Sequence, residues 1–201
     1  KLSWVVPILV FPVFGTLFYL FLTLQPGTHR INRRIEEVGT KLRPYLLQDP
    51  EVLAHYESIS ASGGNLVRYM NQYGRFPAYE NTGARYFPLG DDMFPVLLEE
   101  LKKAEHFIFM EYFIVEHGVM WDAILQILET KVAEGVEVRF MYDGMGNLFT
   151  LPHGYEKAMQ EKGIQCKIFA PVRPALSSYQ NNRDHRKICV IDGHTASTGG
   201  V

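Results

Sequence analysis

Residues Phe107–Val115 form a nearly continuous apolar run, interrupted only by Glu111. An unbroken run of this length predicts a central strand buried on both faces. Helical spacing flanks it on either side. Phe94, Leu97, Leu98 and Leu101 recur at i, i+3, i+4 and i+7, with Asp91 or Asp92 as cap and Pro95 in the first turn. Trp121, Leu125, Leu128 and Val132 repeat the pattern, and Gly135 ends that helix. Val136–Tyr142 then alternates like a strand and stops at Asp143-Gly144. A short helix, Glu156–Lys162, ends at Gly163 and leads into a third strand, Ile164–Phe169. This order predicts an α/β domain, a mixed but largely parallel sheet flanked by helices.

Composition removes several classes. With 47% hydrophobic and 21% charged residues, the chain is neither disordered nor of low complexity. A net charge of −2 argues against a general nucleic-acid binder. Cys166 and Cys189 are too few for a disulfide scaffold and lack the spacing of a zinc site. They read as unpaired core residues.

The N-terminus carries a second signal. From Leu2 to Leu24 there are 23 residues without a charge. That length matches a hydrocarbon core of about 30 Å, so a transmembrane helix is expected over 1–24. Pro7, Pro12 and Gly15 are tolerable in lipid, and Trp4 and Tyr19 suit its interfaces. Arg30, Arg33, Arg34, Lys41 and Arg43 follow, against Lys1 alone on the other side. The expected location is therefore the cell membrane, with the remaining chain on the cytoplasmic side. Residues 25–62 read as a basic juxtamembrane connector with helices over Asn32–Leu42 and Pro50–Ile59. Ser60–Gly64 reads as the boundary before a domain over 63–201. Because the chain opens at Lys1 and stops within a Gly199-Gly200-Val201 motif, a fragment of a longer protein is expected.

The chemistry concentrates in Asn181-Asn-Arg-Asp-His-Arg-Lys-Ile-Cys-Val-Ile-Asp-Gly193. His185 and Lys187 stand two apart on an expected strand, so their side chains leave one face. A neutral imidazole can attack phosphorus while the ammonium offsets charge on the non-bridging oxygens. Asp192 lies an odd number of residues from His185 and precedes Gly193. It reads as fixing a hairpin and supporting the site from behind. Glu111, alone in its apolar strand, either orients a catalytic histidine or forms a buried pair with Arg139. Asp143 and Gly144 end a strand where α/β sites gather, or make a plain turn.

His185-x-Lys187-x-x-x-x-Asp192, followed by Gly199-Gly200, resembles the HxKxxxxD signature of the phospholipase D superfamily. Pro12-Val-Phe-Gly15, His106-Phe-Ile-Phe-Met-Glu-Tyr-Phe113, Gly135-Val-Glu-Val-Arg139, Tyr142-Asp-Gly144 and Asn182-Arg-Asp-His-Arg-Lys187 together look like bacterial-type cardiolipin synthase. The resemblance implies a phospholipase D-like half-domain over 63–201 with His185, Lys187 and Asp192 as catalytic residues. Glu111, Asp143, Gly199 and Gly200 are candidates for substrate binding. It implies transfer of a phosphatidyl group between two phosphatidylglycerol molecules, giving cardiolipin and glycerol through a phosphatidyl-histidine, with no metal or other cofactor. It also implies a second catalytic half outside these residues, so the fragment alone is expected to be inactive. The family's usual first membrane span and second motif are absent, and the Asn expected after Val201 falls outside the chain. A phospholipase or nuclease of the same superfamily, or a non-catalytic anchored half that needs a partner, would carry the same motif.

Overall fold

The computed structural model describes residues 4–24, 26–172 and 183–200, and side chains outside 22–31. Residues 1–3 of the expected span, Asn181 and Asn182 of the motif run, and Val201 lie outside the described residues. The chain divides into two compact units, Lys1–Arg85 and Tyr86–Val201.

The first unit is helical. The apolar N-terminus forms two helices, α1 (Val5–Val10) and α2 (Pro12–Leu24), rather than one. Phe11 has φ −130° and ψ 78°, outside the helical region, as the residue before a proline is constrained to be. Pro12 cannot donate a hydrogen bond to the preceding turn, so it opens a new helix. In a straight helix Trp4 and Phe18 would stand about 21 Å apart. Here their ring centroids are 5.7 Å apart, because the chain folds back on itself. Gly15 permits the approach, since a Cβ there would meet the Pro7 carbonyl oxygen at 2.5 Å. The 13 residues of α2 rise about 20 Å, short of a bilayer core of about 30 Å. Among the described residues no helix is long and apolar enough to cross a membrane. The expected transmembrane helix is thus overturned, and with it the cell-membrane location and cytoplasmic placement that rested on it.

Beyond α2 come α3 (Pro26–Leu42), a 3-10 turn at Arg43–Tyr45, α4 (Pro50–Ile59) and α5 (Ala61–Tyr69). Asp49 caps α4 by accepting the Glu51 N–H at 2.8 Å, with Pro50 at the first helical position. Ser60–Gly64, expected as a boundary, is instead the cap and first turn of α5. Ser60 Oγ accepts the Gly63 N–H at 3.2 Å.

The second unit opens with α6 (Gly90–Lys102) and runs β1 (Phe107–Tyr112), α7 (Val119–Ala133), β2 (Glu137–Asp143), α8 (Tyr155–Glu161), β3 (Gln165–Phe169), β4 (Ile188–Ile191) and β5 (Thr195–Thr198). The sheet order is β3-β2-β1-β4-β5, with β1 in the middle. β1 pairs parallel with β2, and β2 with β3, whereas β4 and β5 join antiparallel. The sheet is therefore mixed, and only half its pairings are parallel. β4 enters at the C-terminal end of β1, which forces it to run back alongside.

One sheet face is packed. Ile108, Met110, Val138, Phe140, Cys166, Cys189 and Ile191 meet Leu97 and Leu101 of α6, Ile124 and Leu128 of α7, and Met159 of α8 in one buried cluster. Such burial contributes about 1.5–3 kcal/mol for each large side chain and is the main source of stability here. Cys166 and Cys189 are unpaired, and burial pushes both thiols up to about 12. The opposite face corrects the expectation of a strand buried on both sides. Phe109, Glu111, Arg139, Met141, Gln165, Lys167, Ile188 and Val190 line a cavity of about 410 Å³ there.

Candidate active site

The C-terminal ends of β1 and β2 and the start of β4 meet at one edge of the sheet. Ile188 pairs with Thr198, so Gly199 and Gly200 continue past β5 at the same edge. A Cβ at either glycine would meet only open space.

His185 and Lys187 precede β4 rather than lying within it, yet their side chains converge. The imidazole stacks on Phe113, with centroids 4.0 Å apart and planes at 20°. Lys187 Nζ stands 5.3 Å from the centroid of the same ring and donates to the His185 carbonyl at 2.9 Å. Phe113, just beyond β1, is a shared floor for both groups. His185 is exposed and Lys187 half-buried, so a phosphate ester arriving from solvent reaches both.

The backbone beneath them is anchored by carboxylates. Asp143, fully buried at the end of β2, accepts the main-chain N–H groups of Met145 and Gly146 at 2.9 and 2.8 Å on Oδ1. Its Oδ2 accepts the Asp184 N–H at 3.1 Å, and Arg183 Nη1 stands 3.7 Å from Oδ1. Asp143 therefore ties the end of β2 to the segment carrying His185. Asp184 Oδ1 in turn accepts from the Arg186 main chain at 3.2 Å and from its Nε at 3.1 Å.

Glu111 does not pair with Arg139. Arg139 bonds Glu137 at 2.8 Å and lies 4.7 Å over the Phe109 ring. Glu111 meets Arg186 Nη2 at 2.5 Å, and Asp184 Oδ1 meets Nε of the same guanidinium at 3.1 Å, so both carboxylates gather on the residue that follows His185. Burial first, and Asp184 second, push the Glu111 carboxyl up to about 7 despite Arg186.

Asp192 lies elsewhere. β4 carries the chain away from His185, and Asp192 turns at the opposite end of the sheet. With φ of 50° there and 74° at Gly193, the two residues form a tight hairpin turn. The Asp192 carboxylate accepts the main-chain N–H groups of Glu105, His106 and Phe107 at 2.7–2.9 Å, which fixes the start of β1. Those bonds hold its carboxyl down at about 2. Among the described residues, no group of three or more His, Cys, Asp or Glu side chains could hold a metal ion.

The sequence reading missed Phe113, Asn147, Asp184 and Arg186. Asn147 is buried and donates through Nδ2 to the carbonyls of Phe113 and Asp143, both at 2.7 Å. Its Oδ1 accepts the Val115 N–H at 2.6 Å. Asn147 thereby joins the ends of β1 and β2 beneath the His185–Lys187 pair. Its only sequence signal is a polar side chain just after the Asp143-Gly144 strand end.

An imidazole and an ammonium thus stand over one aromatic floor at the C-terminal edge of a mixed α/β sheet. Residues 97–201 match the family model described as cardiolipin synthase, phospholipase D-like domain, and the chain belongs to that family. It is 44% identical over its whole length to an uncharacterized protein of Streptococcus mutans, covering 43% of that protein. It is 33% identical, again over its whole length, to a cardiolipin synthase of Alkalihalophilus pseudofirmus, covering 40% of it. The chain thus spans about two-fifths of the length of these relatives. Among solved structures, a phospholipase D family member, Nuc from Salmonella typhimurium, is 22% identical with a TM-score of 0.38, over 53% of this chain and 61% of that one.

Proposed function

We propose that this chain supplies the nucleophilic half of a phosphatidyltransferase that makes cardiolipin and glycerol from two phosphatidylglycerol molecules. The observation that carries the reading is the convergence of His185 and Lys187 on Phe113 at an open sheet edge. A ring nitrogen of neutral His185 attacks the phosphorus of the first phosphatidylglycerol. The P–O bond to the glycerol headgroup breaks, and the leaving oxygen takes a proton from an acid in the second catalytic half of the parent protein. The resulting phosphatidyl-histidine is then attacked by a headgroup hydroxyl of the second phosphatidylglycerol, which gives its proton to the same group. The P–N bond breaks and His185 is restored. Lys187 offsets the charge that grows on the non-bridging oxygens, while Gly199 and Gly200 leave room for the phosphate. Family membership and the relatives' names support the lipid substrate. The test is to incubate the full-length parent with labelled phosphatidylglycerol and separate the products. Cardiolipin with equimolar glycerol is expected. Phosphatidate in place of cardiolipin would make water the acceptor and the protein a hydrolase.

A further inference from the structure

We propose that Glu111 and Asp184 are positioning residues that hold His185 in place by sharing a single proton between their carboxyl groups. The proposal rests on the reading of His185 as the nucleophile, and the geometry below carries it.

The Asp184 side chain accepts the main-chain N–H of Arg186, two residues on, and so closes a turn with His185 at its centre. The same oxygen accepts from Arg186 Nε, and the Asp184 N–H is held by Asp143. The backbone is therefore pinned on both sides of the imidazole. What fastens this turn to the sheet is the contact with β1. Asp184 Oδ2 and Glu111 Oε1 are both buried, and Oδ2 has no hydrogen-bond donor. Arg186 Nη2 reaches Glu111 Oε1 at 2.5 Å as an ion pair, which leaves Asp184 Oδ2 as the oxygen still to be satisfied. Two ionised carboxylates are acceptors only and cannot satisfy each other. One proton between them turns Glu111 into a donor and satisfies Asp184 Oδ2.

The charge count agrees. With one shared proton the pair carries a single negative charge, which Arg186 balances. Without it, two negative charges face that one guanidinium. Other charged groups nearby are engaged or set apart. On β2, Arg139 is held by Glu137, and Asp143 is held by main-chain N–H groups with Arg183 close by. Lys167 on β3 lines the cavity beside Glu111, and Lys187 is turned to Phe113 and the His185 carbonyl. Burial first, and Asp184 second, raise the Glu111 carboxyl to about 7. Burial alone would raise Asp184 too, but hydrogen bonds from Glu111 and Arg186 outweigh it and hold that carboxyl below its ordinary range. The proton thus resides on Glu111. A raised carboxyl loses its contribution as pH rises through its folded-state value, so the latch loosens above about pH 7.

The experiment uses the full-length parent and two readouts independent of turnover. Difference infrared spectroscopy should find a protonated carboxylic acid at pH 6 that titrates near pH 7 and is absent in E111Q. In D184N, which removes the second cause and leaves the burial, the Glu111 carboxyl should titrate below its wild-type value, so the band is weaker at pH 6. A band that titrates at the same pH in D184N as in the wild type would mean that burial alone holds the proton, and a wild type with no such band would overturn the proposal outright. Hydrogen exchange of the segment around His185, corrected for intrinsic rate, should quicken roughly tenfold between pH 6 and pH 8 in the wild type, the scale of one hydrogen bond. E111Q, whose amide donates to Asp184 at any pH, should stay slow at pH 8, while E111A is fast throughout. Equal exchange in E111Q and E111A would overturn the positioning role. Lipid turnover measured in parallel separates the two readings. No turnover with the infrared and exchange results as expected would sink the catalytic assignment and leave the shared proton standing. Turnover with an ordinary Glu111 would do the reverse.

Discussion

The imidazole of His185 lies against the phenyl ring of Phe113, 4.0 Å between centroids and 20° between planes. This contact covers one face of an imidazole that is otherwise exposed. Phe113 is also the ring over which Lys187 stands, so a single side chain orients both groups. Aromatic stacking contributes about 0.5–1.5 kcal/mol beyond area burial, and a cation over a ring a comparable amount. In the full-length parent Phe113→Ala should lower kcat roughly tenfold with a smaller change in KM. Steady-state kinetics on phosphatidylglycerol in detergent micelles would measure the split. An unchanged kcat would mean that the ring does not set the reacting geometry.

Asn147 should matter for the fold as much as for the site. Asn147→Ala strands two carbonyls and one N–H in a buried junction, which costs about 3 kcal/mol in all. Asn147→Asp should be worse, because oxygens would then face the carbonyls of Phe113 and Asp143. Gly146→Ala belongs to the same junction, since a Cβ there would meet the Phe113 carbonyl oxygen at 2.5 Å. Urea unfolding of the three variants would rank them. An Asn147→Ala protein as stable as the wild type would contradict the junction as described.

Much of the α/β unit was legible because its signals are local. β1, β2 and β3 announce themselves as apolar or alternating runs, Gly144 closes β2, and Asp49-Pro50 marks the start of α4. The break at Phe11 was not legible, because a proline within an apolar stretch reads alike whether lipid tolerates it or the chain folds back. Glu111 was paired with the wrong arginine for a related reason. Strand register sets Phe109, not Glu111, beside Arg139, and register is a long-range outcome. The HxK spacing put His185 and Lys187 on one face of a strand, whereas both precede β4 and meet over the Phe113 ring instead. Nothing in the spacing pointed to Phe113, because the contact depends on where β4 begins.

Asp192 yields a prediction about acid stability. Its three main-chain hydrogen bonds hold the carboxyl down at about 2. A depressed carboxyl contributes stability that is complete above the unfolded value of about 4 and is lost as pH falls through the folded value. Asp192→Asn should therefore flatten the dependence of stability on pH between about 4 and 2, as thermal melting across that range would measure. Asn is compatible with the φ of 50° at this position, so strain does not confuse the result. At neutral pH, stability and turnover should fall together through the start of β1. A fully stable but inactive Asp192→Asn protein would instead put the carboxylate against substrate.

The most direct test of the proposed chemistry separates the nucleophile from its electrostatic partner. His185→Ala in the full-length parent removes the atom that attacks phosphorus, so both turnover and the phosphatidyl-histidine should vanish. Lys187→Met keeps the nucleophile but leaves the charge on the non-bridging oxygens uncompensated. Loss of a group that acts in the transition state costs about 3–4 kcal/mol, or roughly 10²–10³ in kcat. The intermediate should still form in Lys187→Met, only slowly. Rapid mixing with phosphorus-labelled phosphatidylglycerol, quenching in base (where phospho-histidine survives) and counting protein-bound label would follow it directly. His185→Ala should carry no label at any time, and Lys187→Met should approach the wild-type level over a longer interval. Label retained by His185→Ala would move the covalent step to another residue. Lys187→Met labelled as fast as the wild type would remove the ammonium from the phosphate site.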